Sequence, residues 1–332
     1  MVKKINRAFN LKVLSWVMIC LAIPLANTLT FNKYNHNPLN LTDFNSSCGY
    51  TYEQSTEFSS LELNGTIQAW FRHCTDWDSY ILYTNSSDGI NWTIPTRLPE
   101  LQGYAMPHVK YYRGEYLMTV ERMFRLQLEI WNSSDGITWT DKCNGSIIDD
   151  HQEYFNSELF DLEDKWGMYL THGGWGTHYW QSKDICGRWN GKSQVLISGE
   201  ATSTIKLNDT YYIFFGERKV GDIWNISLGK TKDLSQINFV AHDIIGPNQG
   251  WELNKTILTV PRVIQLKNQT LLYYDGNQNN TGLVFIEGED YSSLNWTNYT
   301  IVQPRISNSK GSGKSSSDSQ PQKNISITVE FG

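Results

Sequence analysis

Five times along the chain a polar turn leads into a short run of aromatic and aliphatic residues. The pairs are Asn64-Gly65 before Ala69-Trp70-Phe71, Arg113-Gly114 before Tyr116-Leu117-Met118, Asp164-Lys165 before Met168-Tyr169-Leu170, Asn208-Asp209 before residues 211–215, and Asn268-Gln269 before residues 271–274. Each run is followed by a second turn. Ser86-Ser87-Asp88-Gly89-Ile90-Asn91-Trp92-Thr93 returns almost unchanged as Ser133-Ser134-Asp135-Gly136-Ile137-Thr138-Trp139-Thr140, and weaker copies follow at Asp184 with Trp189, Asp233 with Phe239 and Asp290 with Trp296. The aspartates lie 47, 49, 49 and 57 residues apart. Asp bonds its own backbone two residues on and Gly accepts positive φ, so Asp-Gly suits a tight turn between antiparallel strands, and the aromatic then opens the next strand. The pattern predicts five copies of a four-stranded unit with strands A to D. One such sheet cannot bury both faces, so the five should pack face to face around an axis. An all-β fold is expected over residues 56–305, a five-bladed β-propeller with four-stranded antiparallel blades.

The flanks read differently. Lys3, Lys4, Arg7 and Lys12 precede an apolar run over 13–26, which makes residues 1–26 a signal segment with cleavage expected near Ala26. Residues 27–55 are polar and Asn-rich, an N-terminal strap expected to lie irregularly over the first repeat. Residues 306–323 are Ser, Gly, Lys and Asn in low-complexity order and form a flexible linker. In 324–332 Ile325, Ile327, Val329 and Phe331 alternate with polar residues, the period of a half-buried strand. That strand is expected to add to an edge of its own propeller or, by strand exchange, to a neighbouring protein.

Composition adds a compartment and removes a class of partner. Aromatic residues make up 13% of the 332 and include 13 Trp, which suits stacked sheets. The net charge of -6 becomes -10 once the four cations of the signal segment leave (-6 - 4 = -10), which argues against a nucleic-acid partner. Fifteen of the 28 asparagines stand in Asn-x-Ser/Thr sequons: Asn40, Asn45, Asn64, Asn85, Asn91, Asn132, Asn144, Asn208, Asn225, Asn254, Asn268, Asn279, Asn295, Asn298 and Asn324. With Cys20 removed, Cys48, Cys74, Cys143 and Cys186 remain, an even number that reads as two disulfides in an exported chain. Of the three pairings, chain order favours Cys48 with Cys74 and Cys143 with Cys186. No Cys-x-x-Cys spacing points to a metal, and no metal or other cofactor is expected.

Ser-x-Asp-Gly-x-x-Trp after a Tyr-rich strand, repeated at this spacing, resembles the five-bladed propellers of the glycoside hydrolase family 43 and family 32 group, of arabinosidase and fructosidase type. Sialidase Asp-boxes are less similar, with one more residue between Asp and Trp. The resemblance implies that strand A lines a central channel and that the site lies where the A strands begin. It also implies three working carboxylates: an Asp base or nucleophile from the first blade, an Asp from the second and a Glu acid from the third. Glycoside hydrolysis needs such a pair flanking the bond, one protonated and one ionised. Glu158, in Asn156-Ser157-Glu158-Leu159-Phe160, stands at the acid's place. Glu57 is the acidic residue nearest the first Asp's place, though the usual Asp-Pro is missing. His108, in Met106-Pro107-His108-Val109, stands where the second Asp is expected. Glu200 and Arg262 are further inward candidates, and Arg122, His172, Trp175, Arg218 and Asp275 should rise on the same rim to bind substrate. The expected function is an exported, secreted or cell-surface glycan-processing protein acting on a carbohydrate at the channel. The departures in the first two blades keep open a non-catalytic glycan-binding or structural surface glycoprotein.

Overall fold

The five aromatic-rich runs are the second strands of five twisted antiparallel sheets. The structure is a computed structural model and describes residues 29–39, 47–48, 57–76, 78–122, 127–148, 154–172, 176–191, 194–219, 224–247, 252, 259–276, 280–288 and 290–298. Two short strands precede the first repeat, β1 (Thr30–Lys33) and β2 (Ser47–Cys48). Blade 1 contains β3 (Ser59–Leu63), β4 (Thr66–Asp76), β5 (Asp78–Ser86) and β6 (Thr96–Gln102), and blade 2 contains β7 (Tyr104–Tyr112), β8 (Glu115–Arg122), β9 (Gln127–Ser133) and β10 (Thr140–Ile148). Blade 3 contains β11 (Tyr154–Asp161), β12 (Trp166–His172), β13 (Gly176–Ser182) and β14 (Asn190–Gly191). Blade 4 contains β15 (Glu200–Leu207), β16 (Thr210–Arg218), β17 (Trp224–Thr231) and β18 (Phe239–Ile245). Blade 5 has β19 (Thr259–Gln265), β20 (Thr270–Asp275) and β21 (Thr281–Glu287).

The fourth strand of blade 5 comes from the other end of the chain. β1 pairs antiparallel with β21, Thr30 opposite Glu287 and Lys33 opposite Val284, so residues expected within an irregular strap over the first repeat are the outer strand of the last. Lys33 anchors it, with its ammonium 2.7 Å from the fully buried carboxylate of Glu252, and the Leu29 N–H donates to Ser293 Oγ. The run after Trp296, expected to be the outer strand of blade 5, is instead β22 (Thr297–Asn298), a fifth strand on the edge of blade 4. β1 thus ties the start of the described chain to the last blade, and β22 ties the segment after blade 5 to the edge of blade 4.

Packing between blades follows from the period-2 pattern. Five hydrophobic clusters fill the seams, each drawn from two adjacent blades; Trp70, Ile81 and Leu98 of blade 1, for example, meet Val109, Met118 and Trp139 of blade 2. The Asp turns are held by their own side chains. Ser133 Oγ accepts the Gly136 N–H at 2.9 Å, Asp135 Oδ1 accepts the Ile137 and Thr138 N–H groups, and those bonds hold the Asp135 carboxyl down to about 2. The preceding blade then docks onto the turn: the Trp70 indole N–H donates to the Gly136 carbonyl at 2.8 Å, Tyr273 does the same to Gly89 and Tyr169 to Leu234. Gly89 has φ 77° and lies so close to Tyr273 that a Cβ would stand 2.5 Å from its hydroxyl.

Cys143–Cys186 is formed and ties β10 to the Asp turn of blade 3. Cys74 is also disulfide-bonded, and β2 runs parallel beside the end of β4 with Cys48 opposite Asp76. The Cys48 side chain, residues 1–26, Trp175, Asn40, Asn45, Asn254, Asn279 and the linker and strand of 306–332 lie outside the described residues. Among the described residues no helix is long and apolar enough to cross a membrane.

Candidate functional site

Every inner strand opens on a residue forced into the left-handed region: Glu57, Met106, Asn156, Ala201 and Val260, with φ between 46° and 55°. In the first four blades the inner strand ends at another left-handed residue seven positions on, namely Asn64, Arg113, Glu163 and Asn208. In blades 2 to 5 the opening residue sits in a β-bulge, since pairing slips between Ala105 and His108, Phe155 and Glu158, Glu200 and Ser203, and Thr259 and Arg262. A non-glycine residue in this region costs about 1–3 kcal/mol. Because the strain recurs in all five blades, it belongs to the way the strands turn into the channel.

Past the bulge the inner strands stand level. Ser59, His108, Glu158, Ser203 and Arg262 face Trp70, Thr119, Tyr169, Phe214 and Tyr273 of their own second strands. An innermost strand has one edge without a ladder partner, and its buried N–H groups need acceptors. The preceding blade supplies them. Val109 N–H donates to Ser59 Oγ at 2.9 Å, Val263 N–H to Ser203 Oγ at 2.9 Å, and Thr204 N–H to Glu158 Oε1 at 2.8 Å. Glu158 therefore lies on the innermost strand of its blade, level with His108 and Arg262, but its carboxylate is wholly buried and tied to its neighbours. It also accepts from Thr204 Oγ1 at 2.9 Å and pairs with the Lys110 ammonium of blade 2 at 3.1 Å.

Glu57 is held in a similar way. Its carboxylate pairs with Arg72 at 2.7 Å, both groups being buried, and accepts the Met106 N–H of the next blade's bulge. Its own N–H donates to Asp275 Oδ2 at 2.8 Å. Asp275, expected on the rim, is the buried last residue of β20.

Glu200 is the exception. It opens β15 immediately before the bulge, pairs with Gly216 through its backbone and is 8% exposed, while its carboxyl has no hydrogen bond or ion pair to another described residue. Burial pushes its carboxyl up to about 7, with the charge of Arg218 acting in the opposite direction. Arg262 is buried past the bulge of the next blade, and burial lowers its guanidinium to about 10 although Glu158, Asp275 and Glu57 all pull it up. Its Nη1 donates to the Thr202 and Pro261 carbonyls. Burial, together with the charges of Arg262 and Lys110, drives His108 well below the ordinary imidazole range and keeps it neutral. From the bulges to the level of His108, four buried polar atoms on these strands have no partner among the described residues: His108 Nδ1, Asn156 Oδ1, Thr202 Oγ1 and Arg262 Nε. They come from four blades and mix donors with acceptors, a set suited to hydroxyl groups.

The other expected rim residues are scattered. Arg122 pairs with Glu129 of its own blade at 3.1 Å and donates to Tyr104, and the His172 ring meets His178 edge-on at 5.8 Å. Asn156 and Thr202 belong with the site and were not among its expected members. Counting seven back from the polar turn reaches the opening residue in blades 1, 2 and 4, but in blade 3 it reaches Ser157, one past Asn156.

No protein-family profile matches the chain, and no curated protein matches it in sequence. Solved structures do match it. One, from the GH130 family of mannoside phosphorylases and reported to contain glycoside hydrolases that target β-1,2-mannosidic linkages in Candida mannan, has TM-score 0.60 and 14% identity over 79% of this chain and 94% of the other. The α-L-arabinofuranosidase of Podospora anserina, solved with cellotriose, has TM-score 0.60 and 11% identity over 80% and 98%. The Bacillus subtilis arabinanase has TM-score 0.53 and 16% identity over 73% and 96%. The fold is that of the glycoside-hydrolase-like five-bladed propellers. The fructosidase type is not specifically represented among these structures, and identities this low speak for the fold alone.

Proposed function

We propose that this protein is an exported glycan-processing propeller that cleaves a glycosidic bond at the mouth of its central channel, with Glu200 as proton donor and Glu57 as the ionised partner. The observation that carries this reading is the contrast between these two carboxylates, which come from blades 1 and 4, not adjacent in the ring. Glu57 lies against Arg72 at 2.7 Å, while Glu200 is buried without such a partner and has its carboxyl raised to about 7. A protonated carboxyl facing an ionised, cation-paired one is the pair that glycoside hydrolysis uses. The protonated Glu200 gives its proton to the leaving oxygen as the C–O bond breaks, and the Glu57 carboxylate attacks the anomeric carbon or takes a proton from the attacking water. The open positions on His108, Asn156, Thr202 and Arg262 hold sugar hydroxyls. On this reading Glu158 is a stitch between blades rather than the acid that the family resemblance implied. Export is supported by the leader pattern of residues 1–26 and by Cys143–Cys186, a bond suited to an oxidising compartment.

A panel of activated aryl glycosides tests the proposal, with turnover of at least one by the wild type and its loss in Glu200→Gln as the expected result. A second reading, glycan binding without cleavage, is favoured by the two groups that already occupy the Glu57 carboxylate, Arg72 and the Met106 N–H. Its mark would be retention on a glycan array together with no turnover anywhere on the panel.

A further inference from the structure

The fold sorts the sequons by end. Each inner strand runs from the channel mouth to the first turn, so that turn and the Asp turn both lie on the end opposite the mouth. Asn64 and Asn208 occupy the left-handed positions of two such first turns, at φ 54° and 53°, and both are exposed. Asn268 is exposed in the corresponding turn of blade 5, which the Leu266 N–H closes by donating to the Gln269 carbonyl. Asn295 is exposed just after the 3-10 turn Tyr291–Ser293, beside the Asp290 that caps it. None of these four side-chain amides donates a hydrogen bond to another described residue. Asn225, near the start of β17 and so at the mouth end, is different. Its Nδ2 donates to Asp243 Oδ1 at 2.9 Å, and its Oδ1 is buried.

We propose that the protein is N-glycosylated at Asn64, Asn208, Asn268 and Asn295, so that sugar coats the end away from the channel mouth, and that Asn225 stays unmodified. In the transfer the side-chain Nδ2 attacks the anomeric carbon of an oligosaccharide carried on a lipid diphosphate. An N–C bond forms, the sugar's C–O bond to the diphosphate breaks, the lipid diphosphate leaves and Nδ2 gives up one proton. A turn residue with its amide in solvent carries the product without displacing packed atoms, whereas a glycan on Asn225 would have to force its amide out from beside Asp243. The coat leaves the mouth open to a large glycan substrate. This inference rests on the proposed export.

Glycopeptide mapping of the chain recovered from the medium of a glycosylating eukaryotic host tests it, with enzymatic release converting each occupied Asn to Asp. The expected result is release at Asn64, Asn208, Asn268 and Asn295, an unmodified Asn225, and a triple Asn64→Gln, Asn208→Gln, Asn268→Gln variant lighter by three glycans. A glycan on Asn225, or an exported chain bare at the four turn sites, would overturn the proposal while leaving export standing. A chain held inside the cell would overturn the export reading and this one with it.

Discussion

Glu158 and Glu200 make the instructive pair. Both are buried glutamates on the innermost strands of adjacent blades, Glu158 just past the bulge and Glu200 just before it, and by residue type and burial they look alike. Their neighbours separate them. Glu158 receives the Thr204 N–H, the Thr204 hydroxyl and the Lys110 ammonium, the last two being groups no neighbouring strand had to supply. Glu200 has only the charge of Arg218 opposing its burial, and its carboxyl rises to about 7. Burial thus places a carboxyl, and its donors decide whether it holds the ring together or holds a proton.

The largest effect should come from emptying the saturated site. Glu158→Ala leaves Lys110 unpaired and the Thr204 N–H without an acceptor, and should cost about 3–5 kcal/mol in urea unfolding, since one partner of a buried pair is removed. Glu200→Gln at pH 7 should cost nothing or stabilise; a loss equal to that of Glu158→Ala would erase the contrast. Next comes the seam that Glu158 braces. Thr119 stands in blade 2 where Trp70, Tyr169 or Tyr273 bonds the next Asp turn, and the seam carries Cys143–Cys186 and the Arg113–Asp161 ion pair. Replacing both cysteines by alanine should cost about 2–4 kcal/mol, and the loss should couple to that of Glu158→Ala in a double-mutant cycle. Independent, additive losses would show that the two ties do not share one seam.

The smallest effect is a pH dependence with a fixed sign. The Glu200 carboxyl is raised in the folded state, so its contribution is fully present below about pH 4.5 and is lost as pH rises through about 7. Over that window the wild type should lose at most roughly 3 kcal/mol relative to Glu200→Gln. Parallel stability curves for the two proteins across pH 4.5 to 7 would contradict it.

The repeat was readable because Asp-Gly-x-x-Trp and the polar turns are local chemistry, each fixed by residues a few positions apart. Ring closure was not, because the contact of Thr30–Lys33 with β21 spans most of the chain and its four residues carry no pattern of their own. The left-handed openings of the inner strands were hidden for a related reason: Glu57, Met106, Asn156, Ala201 and Val260 share a backbone conformation and no side-chain type. Lys110 and Thr204, which occupy Glu158, come from two other blades, so no reading along one strand could weigh Glu158 against Glu200.

The most direct test compares kcat/KM of Glu200→Gln and Glu158→Gln on an activated glycoside that the wild type cleaves. The account predicts a loss of about 10²–10⁴-fold for Glu200→Gln and, where the folded fraction is matched, a change of only a few-fold for Glu158→Gln. Collapse of Glu158→Gln with Glu200→Gln still active, or a wild type that cleaves none of the glycosides tried, would contradict it.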